Sequence, residues 1–393
     1  MHPVFYLDEN NPISEEKIDA DALKVIHRLK RHGYSAYLVG GGVRDLLLKI
    51  PPKDFDIATS AKPEEIKALF KNCLLIGRRF RLAHIRFGNK VFEVSTFRTG
   101  DVKDDNLITH DNEFGTEEQD AKRRDFTING LFYDPEEHAI IDYVHGLRDL
   151  NNKVLRTIGD PTIRFRQDPV RMIRLLKFRA RIGFEVDSKT ETALRENLAE
   201  ITKSSPDRIL GEIFKMLETK MASPFFGLMH EYGFTHILFP ELAKALDIDT
   251  HSQTLKFLEL ADNQEIHNPE KNILLACFLY PILEKKIQSH YLEKDKIPHF
   301  GEIFSLTKEL ITEMLVHPFP RFPRWMRETI AFILNAQFRF TPLDPKKKSR
   351  KFKIMGHKKY PLALRFLGLR SYVDDRCAKE YSKMRQLKNK PKP

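Results

Sequence analysis

The sequence predicts a mixed α/β head followed by all-α modules. Short β-prone runs alternate with amphipathic stretches and glycine turns over roughly the first 150 residues. Two pairs of such runs flank turn residues and so read as hairpins. After Asp168 the pattern is helical to the end, with no repeat and no Gly/Ser-rich linker. A chain of 393 residues exceeds one typical core, so an α/β unit with helical modules behind it is the expected plan.

From Asp19 to His32, Ala22, Val25, Ile26 and Leu29 recur at helical spacing, with Asp19 as N-cap and Gly33 as the stop. Ala36 to Val39 is short, apolar and β-prone; it runs into Gly40-Gly41-Gly42 and then the amphipathic Val43 to Leu48. That order reads as strand, glycine turn, helix. A second strand through Asp54 to Ala58 precedes a helix from Pro63 to Phe70, whose proline suits the first turn. Arg81 to Phe87 and Val91 to Phe97 flank Gly88-Asn89, a pair suited to a tight turn with positive φ. A second hairpin spans Gly130 to Tyr143 around Asp134-Pro135-Glu136-Glu137. Further on, Pro206, Pro224, Pro240 and the Pro318 to Pro323 cluster are the expected breaks between helices.

Hydrophobic residues make up 41% of the chain and charged residues 31%, and no apolar run approaches a membrane span. The start, MHPVFYLDENN, lacks the basic and apolar segments of a signal peptide. Cys73, Cys277 and Cys377 are scattered and odd in number, as in a reducing cytoplasm. The net charge of +11 is concentrated: Lys346 to Pro393 holds 17 Lys and Arg against 3 acids, a net of +14 that leaves the rest at −3. Such an end binds nucleic acid through its phosphates or is simply solvated. Phe352, Tyr360, Phe366 and Tyr372, interleaved with the charges, favour RNA.

In Lys53-Asp54-Phe55-Asp56-Ile57 the strand period of two turns both carboxylates to one face and Phe55 and Ile57 to the other. Side-by-side hard oxygen ligands suit a pair of Mg²⁺ ions. The glycine turn gives the pair a context, because it presents backbone N–H groups at a helix start, where a triphosphate binds. Gly40-Gly41-Gly42-Val43-Arg44 fits neither GxxxxGK[ST] nor GxGxxG. Gly40, Gly41 and Arg44 are the candidate phosphate contacts. A third carboxylate comes from Glu93 in the first hairpin or from Asp125 in Arg123-Arg124-Asp125-Phe126-Thr127-Ile128-Asn129. Asp168-Pro169 reads as a helix N-cap with proline in the first turn, placing Arg171 and Arg174 on one face. His110-Asp111 has no second histidine at metal spacing and reads as loop; Trp325 and the phenylalanines read as core.

Leu38 to Asp45, Asp54-Phe55-Asp56, Arg123 to Asn129 and Asp168 to Met172 together resemble the bacterial class II nucleotidyltransferases, a family of CCA-adding tRNA enzymes and bacterial poly(A) polymerases. The likeness covers roughly residues 20 to 220. It implies a polymerase-β-like nucleotidyltransferase head with a mixed sheet over 1–150, a helical neck binding nucleotide and RNA over 151–220, a helical body over 221–345 and a basic RNA-binding tail over 346–393. Ile76 to Ile85 and Lys351 to Asp375 are similar to the poly(A) polymerase branch. The resemblance therefore implies transfer of AMP from ATP to an RNA 3′-hydroxyl with two Mg²⁺ ions. CCA addition to tRNA from CTP and ATP, or RNA binding without turnover, are the alternatives. It implies metal ligation by Asp54 and Asp56, nucleotide binding by Arg123, Arg124 and Asn129, and base selection by Asp168 with Arg171 and Arg174. Gln167 and Lys49 stand where the family commonly has Glu and Gly.

Overall fold

The computed structural model describes residues 4–6, 13–77, 82–99, 113–248, 253–263, 270–344 and 352–388. Arg78 to Arg81, His110-Asp111, the basic run 346–351 and 389–393 lie outside them. The chain divides into two compact units, Met1–Arg179 with Gly183–Glu200, and Ala180–Ile182 with Ile201–Pro393.

The first unit contains β1 (Val4–Tyr6), α1 (Ala20–Arg31), β2 (Ala36–Val39), α2 (Gly41–Leu47), β3 (Asp56–Thr59), α3 (Pro63–Leu69), β4 (Cys73–Ile76), β5 (Leu82–Phe87) and β6 (Lys90–Thr96). There follow α4 (Glu117–Lys122), β7 (Leu131–Asp134), β8 (Ala139–Asp142), α5 (Gly146–Asn151), β9 (Val154–Leu155), α6 (Pro161–Gln167), α7 (Val170–Ile182, its last turn assigned to the second unit), β10 (Glu185–Val186) and α8 (Ser188–Glu196). Asp19 caps α1 by accepting the Asp21 N–H at 2.9 Å, and Ala22, Val25, Ile26 and Leu29 are fully buried beneath it. Eight strands form one sheet in the order β1-β8-β7-β2-β3-β6-β5-β4. Neighbours are antiparallel except β3 and β6. β5 and β6 turn through Gly88-Asn89, with Gly88 at φ +58°, as the pair predicts. The β7–β8 hairpin also stands as expected. Val39, Ala58, Phe97, Ala121, Phe132 and Ile141 pack as one core cluster.

Register fixes which residues share an end of this sheet. Val39 pairs with Asp56 and with Phe132. The turn after β2, the start of β3 and the approach to β7 therefore lie at one end. The tyrosine hydroxyls of Tyr37 and Tyr143 donate to the Glu117 carboxylate at 2.9 and 3.0 Å, which ties the start of α4 to the sheet.

The second unit holds α9 (Pro206–Leu217), α10 (Ala222–Glu231), α11 (Phe234–Leu238), α12 (Pro240–Ile248), α13 (Gln253–Asp262), α14 (Lys271–His290), α15 (Phe300–Ile311), α16 (Arg324–Phe340), α17 (Phe352–Met355), α18 (Tyr360–Arg370) and α19 (Asp375–Lys388). No described helix is long and apolar enough to cross a membrane.

Several expectations are corrected. Past Asp168 the chain is not wholly helical, since Glu185 and Val186 pair in parallel with Val154 and Leu155. Pro224 lies within α10 rather than between helices, inside its first turn where no proline N–H is missed. Tyr360 and Phe366 are buried, so they fill a core instead of waiting for RNA; the α17–α19 region packs on α16 through Ile354, Leu367, Cys377 and Met384. Trp325, expected inside, is 61% exposed at the solvent side of α16.

Lys49, just after α2, sits at φ +58°, the left-handed region where a side chain costs about 1 kcal/mol and glycine costs little. Lys49→Gly is expected to raise stability by about 0.5–1 kcal/mol, read as a higher thermal midpoint. An unchanged or lower midpoint would show that the lysine is not strained.

Candidate active site

The glycine turn is built by sterics. Gly40 has φ +68° and ψ −128°, and a Cβ there would lie 2.9 Å from Arg124 Nη1. Its N–H donates to the Leu131 carbonyl at 3.2 Å, closing the turn onto β7. A Cβ on Gly42 would come within 3.1 Å of the Asp54 carbonyl, so the missing side chain lets the chain at 54–55 pass close to α2.

Asp56 opens β3, and Asp54 precedes the strand instead of lying in it. Both are exposed, Phe55 is half-buried and Ile57 is fully buried, which is the alternation expected. Ile57 pairs with Val94 on the parallel neighbour β6, and both are fully buried. One step earlier on each strand, Asp56 and Glu93 therefore share the opposite face at its exposed end, since Ala58, two residues on from Asp56, is already core. Glu93 Oε1 lies 3.5 Å from His84 Nε2 on β5.

Asp125 belongs to a different environment. It is largely covered, and its Oδ1 accepts from the Phe126 N–H and Asn129 Nδ2, each at 2.9 Å. Arg174 Nη1 stands 3.8 Å from Oδ2. Burial works to raise its pKa, yet Arg174, Asn129 and Arg171 outweigh burial and hold the carboxyl below the usual range. Asn129 Oδ1 in turn accepts from Arg44 Nη1 at 2.6 Å.

Arg44 thus departs from expectation. It is buried, its Nε and Nη2 donate to Asp45 Oδ1 at 2.9 and 2.7 Å, and its guanidinium lies 4.8 Å from the Phe178 ring centre. With those partners on α2 itself and on the run before β7, the side chain turns inward to bind the motifs together rather than outward to a phosphate.

Behind the turn, Asp120 has no exposed side-chain surface and pairs with Arg123 at 2.7 Å and Arg124 at 2.9 Å. Burial would raise its pKa, but the two guanidinium groups hold it below the usual range. Arg124 also lies 5.3 Å from the Phe132 ring centre. The carbonyls of Arg123 and Arg124 both accept from Arg164 Nη2 at 2.5 Å. Burial, with Arg171 nearby, pushes the Arg164 guanidinium down to about 9, which leaves it protonated at neutral pH.

Asp168 is not the N-cap of α7. Pro169 occupies that position, the cap makes no side-chain hydrogen bond, and Asp168 ends α6 in an extended conformation, its N–H donating to the Arg164 carbonyl at 3.2 Å. Arg171 Nη1 donates to the Arg164 carbonyl at 3.1 Å, and Gln167 Oε1 accepts from Arg164 Nη1 at 3.4 Å.

Sequence reasoning missed Asp45, Asp120, Arg164 and Phe178. Asp120 had a signal, since Arg123 and Arg124 follow at the i+3 and i+4 spacing of ion pairs on a helix. Arg164 and Phe178 had none, because their partners lie far off in sequence.

Residues 36–156 match the family model for the poly A polymerase head domain, and residues 183–246 match that for a probable RNA and SrmB-binding site of polymerase A. The chain is 35% identical to Escherichia coli poly(A) polymerase I over 384 residues, spanning 93% of this chain and 81% of that one. It is 38% identical over 224 residues to the CCA-adding enzyme of Geobacillus stearothermophilus, spanning 57% of this chain and 55% of that one. Among solved structures, the Bacillus stearothermophilus CCA-adding enzyme in complex with CTP matches with a TM-score of 0.63 at 27% identity, covering 93% of this chain and 80% of that one.

Removing one partner of a buried ion pair costs about 3–5 kcal/mol, so Asp120→Asn is expected to lose stability of that order at pH 7. Because the folded-state pKa is depressed, this contribution is present above the unfolded value of about 3.9 and is lost as pH falls through the folded one. The wild-type and variant urea midpoints should converge below about pH 4. Equal stability at pH 7 would contradict the account.

Proposed function

Because this chain belongs to the poly(A) polymerase branch of the bacterial class II nucleotidyltransferases, we propose that it extends RNA by transferring AMP from ATP to the 3′-hydroxyl, releasing pyrophosphate. The observation that carries the reading is the level placement of Asp56 and Glu93 at the exposed end of one sheet face, with residue 54 beside the glycine turn.

Asp54, Asp56 and Glu93 would hold Mg²⁺, and an exposed set of carboxylates is the hard oxygen donor set this ion takes. Two such ions, when bound, activate the attacking hydroxyl and neutralise charge on the leaving pyrophosphate. Glu93 is assigned the third position because Asp125 is occupied with Arg174, Asn129 and its own neighbour's N–H. Asp125 and Arg44 instead position Asn129 and the turn. Gly41 offers its backbone N–H group to the triphosphate, Gly40 shapes the turn with its own N–H held by the Leu131 carbonyl, and Arg123 and Arg124, anchored by Asp120, add positive charge beside it.

Base choice falls to Asp168 and Arg171, with Arg174 on the same face of α7. A carboxylate accepts from the exocyclic amine of adenine, and a guanidinium donates to a ring nitrogen. No side-chain nucleophile or base is required, since positioning and charge supply most of the catalysis of phosphoryl transfer.

Asp54→Ala and Asp56→Ala are expected to lower kcat by about 10³-fold or more, several kcal/mol of charge stabilisation, while RNA binding without Mg²⁺ persists. Full activity in either variant would sink the proposal. Glu93→Gln should raise the Mg²⁺ concentration for half-maximal rate, and Asp125→Asn should raise the KM for ATP with the Mg²⁺ requirement unchanged; the reverse pattern would exchange the two roles. On oligo(A) and on tRNA lacking its end, ATP should yield long tails. Chains that stop after CCA when CTP is added would favour the tRNA enzyme.

A further inference from the structure

Transfer chemistry leaves unused a cavity of about 750 Å³ in the second unit, between α15 and α16 and lined also by Ile354, His357 and Lys359. Its lining follows two helical stripes: Phe300, Phe304 and Lys308 on α15, and Arg324, Arg327, Ala331, Asn335 and Arg339 on α16. A π-helical turn, Thr312–Val316, begins where α15 meets its rim, a local irregularity frequent at functional sites.

The chemistry of the walls is specific. Lys308, Arg324, Arg327, Arg339 and Lys359 bring five cations against one lining carboxylate, Glu328, which Arg324 already holds at 3.0 Å. Flat groups alternate with them. Phe304 is 51% exposed, His357 stacks on Phe332 at 4.1 Å and 16°, and the Arg339 guanidinium lies 4.0 Å from the Phe300 ring centre. Arg327 Nε is buried with no hydrogen-bond partner among the described residues. A buried donor left that way is costly unless a ligand supplies an acceptor.

A small anion would use the cations and leave the stacked plates idle; an apolar ligand would do the opposite. Single-stranded RNA uses both, with phosphates on the cations and bases on the flat faces. We propose that this cavity is a second RNA subsite, stacking one or two internal bases of the single strand. Phe304 and the exposed His357 face supply the platforms, and Lys308 and Arg327 meet phosphate or base acceptors. The subsite is separate from the family-model match at 183–246, and the proposal rests on the reading of the chain as an RNA-extending enzyme.

Full-length protein is titrated, without ATP or Mg²⁺, into fluorescein-labelled oligo(A) of about 20 nucleotides and into an abasic oligomer of equal length; base–aromatic stacking sets the expected scale. Phe304→Ala should weaken oligo(A) about tenfold and leave the abasic oligomer unchanged. Lys308→Ala should weaken both and reduce the salt slope by about one ion. Both side chains are exposed, so neither variant removes a core contact. Unaltered oligo(A) affinity in the two variants overturns the proposal. So does polyglutamate displacing oligo(A) as effectively as unlabelled RNA, which would make the cavity an acidic-peptide site. AMP transfer at saturating RNA should be kept in both variants; its absence from the wild type would instead count against the reading of function.

Discussion

The register of β3 between its two neighbours is the constraint on which the active end of this protein depends. Side chains alternate across a strand, so slipping β3 by one residue would send Asp56 into the buried slot of Ile57 and press Ile57 into the one that the smaller Ala58 fills. The slip is opposed from both sides, because Ile57 pairs with Leu38 on β2 and with Val94 on β6 and all three are buried. The apolar face thus sets the position of the carboxylates. Gly42 contributes a steric condition, allowing the backbone at residues 54 and 55 to pass close against the start of α2.

A second layer of constraint is electrostatic. Several arginines meet within one small region, and their mutual repulsion is met by buried carboxylates and backbone carbonyls. Asp120 binds Arg123 and Arg124, Asp45 binds Arg44, and the carbonyls of residues 123 and 124 take the Arg164 side chain. Charge-assisted hydrogen bonds of this kind are stronger than neutral ones and fix direction as well as distance. These bonds, with the one from Arg44 to Asn129, join α2, α4, α6 and the run before β7, so elements distant in sequence are held by a few guanidinium groups. Such a network is costly to break at one partner, and it leaves the exposed carboxylates as the part of the site open to ions and substrate.

The sheet and its motifs were largely legible in the sequence because each rests on a local signal. Asp19 and Gly33 bound α1, Gly88-Asn89 makes the hairpin, and the period of two separates Asp56 from Ile57. What escaped was set by partners remote in the chain. Nothing near Arg44 shows that Asn129 will draw it inward. Asp168 before a proline looks like a cap, yet the proline itself takes the cap position and the aspartate stays at the joint between α6 and α7. The aromatics of the basic end misled for a related reason. Tyr360 and Phe366 both lie on α18, where Tyr360 meets Phe340 of α16 and Phe366 meets Phe257 of α13 and Tyr280 of α14, partners that could not be known, while Trp325 on α16 is turned to solvent. The stripes lining the cavity in the second unit were present at helical spacing, but only the facing of α15 and α16 gives them a common space.

These layers make one account: an apolar register sets an exposed set of carboxylates at one end of the sheet, and a buried arginine network holds the glycine turn beside it. Its central claim is that Asp54, Asp56 and Glu93 form a single metal-binding face. Manganese binding followed by electron paramagnetic resonance, in the presence of a non-hydrolysable ATP analogue, tests it directly. The account predicts about two ions per chain in the wild type, as a two-metal site requires, and loss of tight binding in Asp56→Asn. Unchanged stoichiometry and affinity in that variant would contradict it.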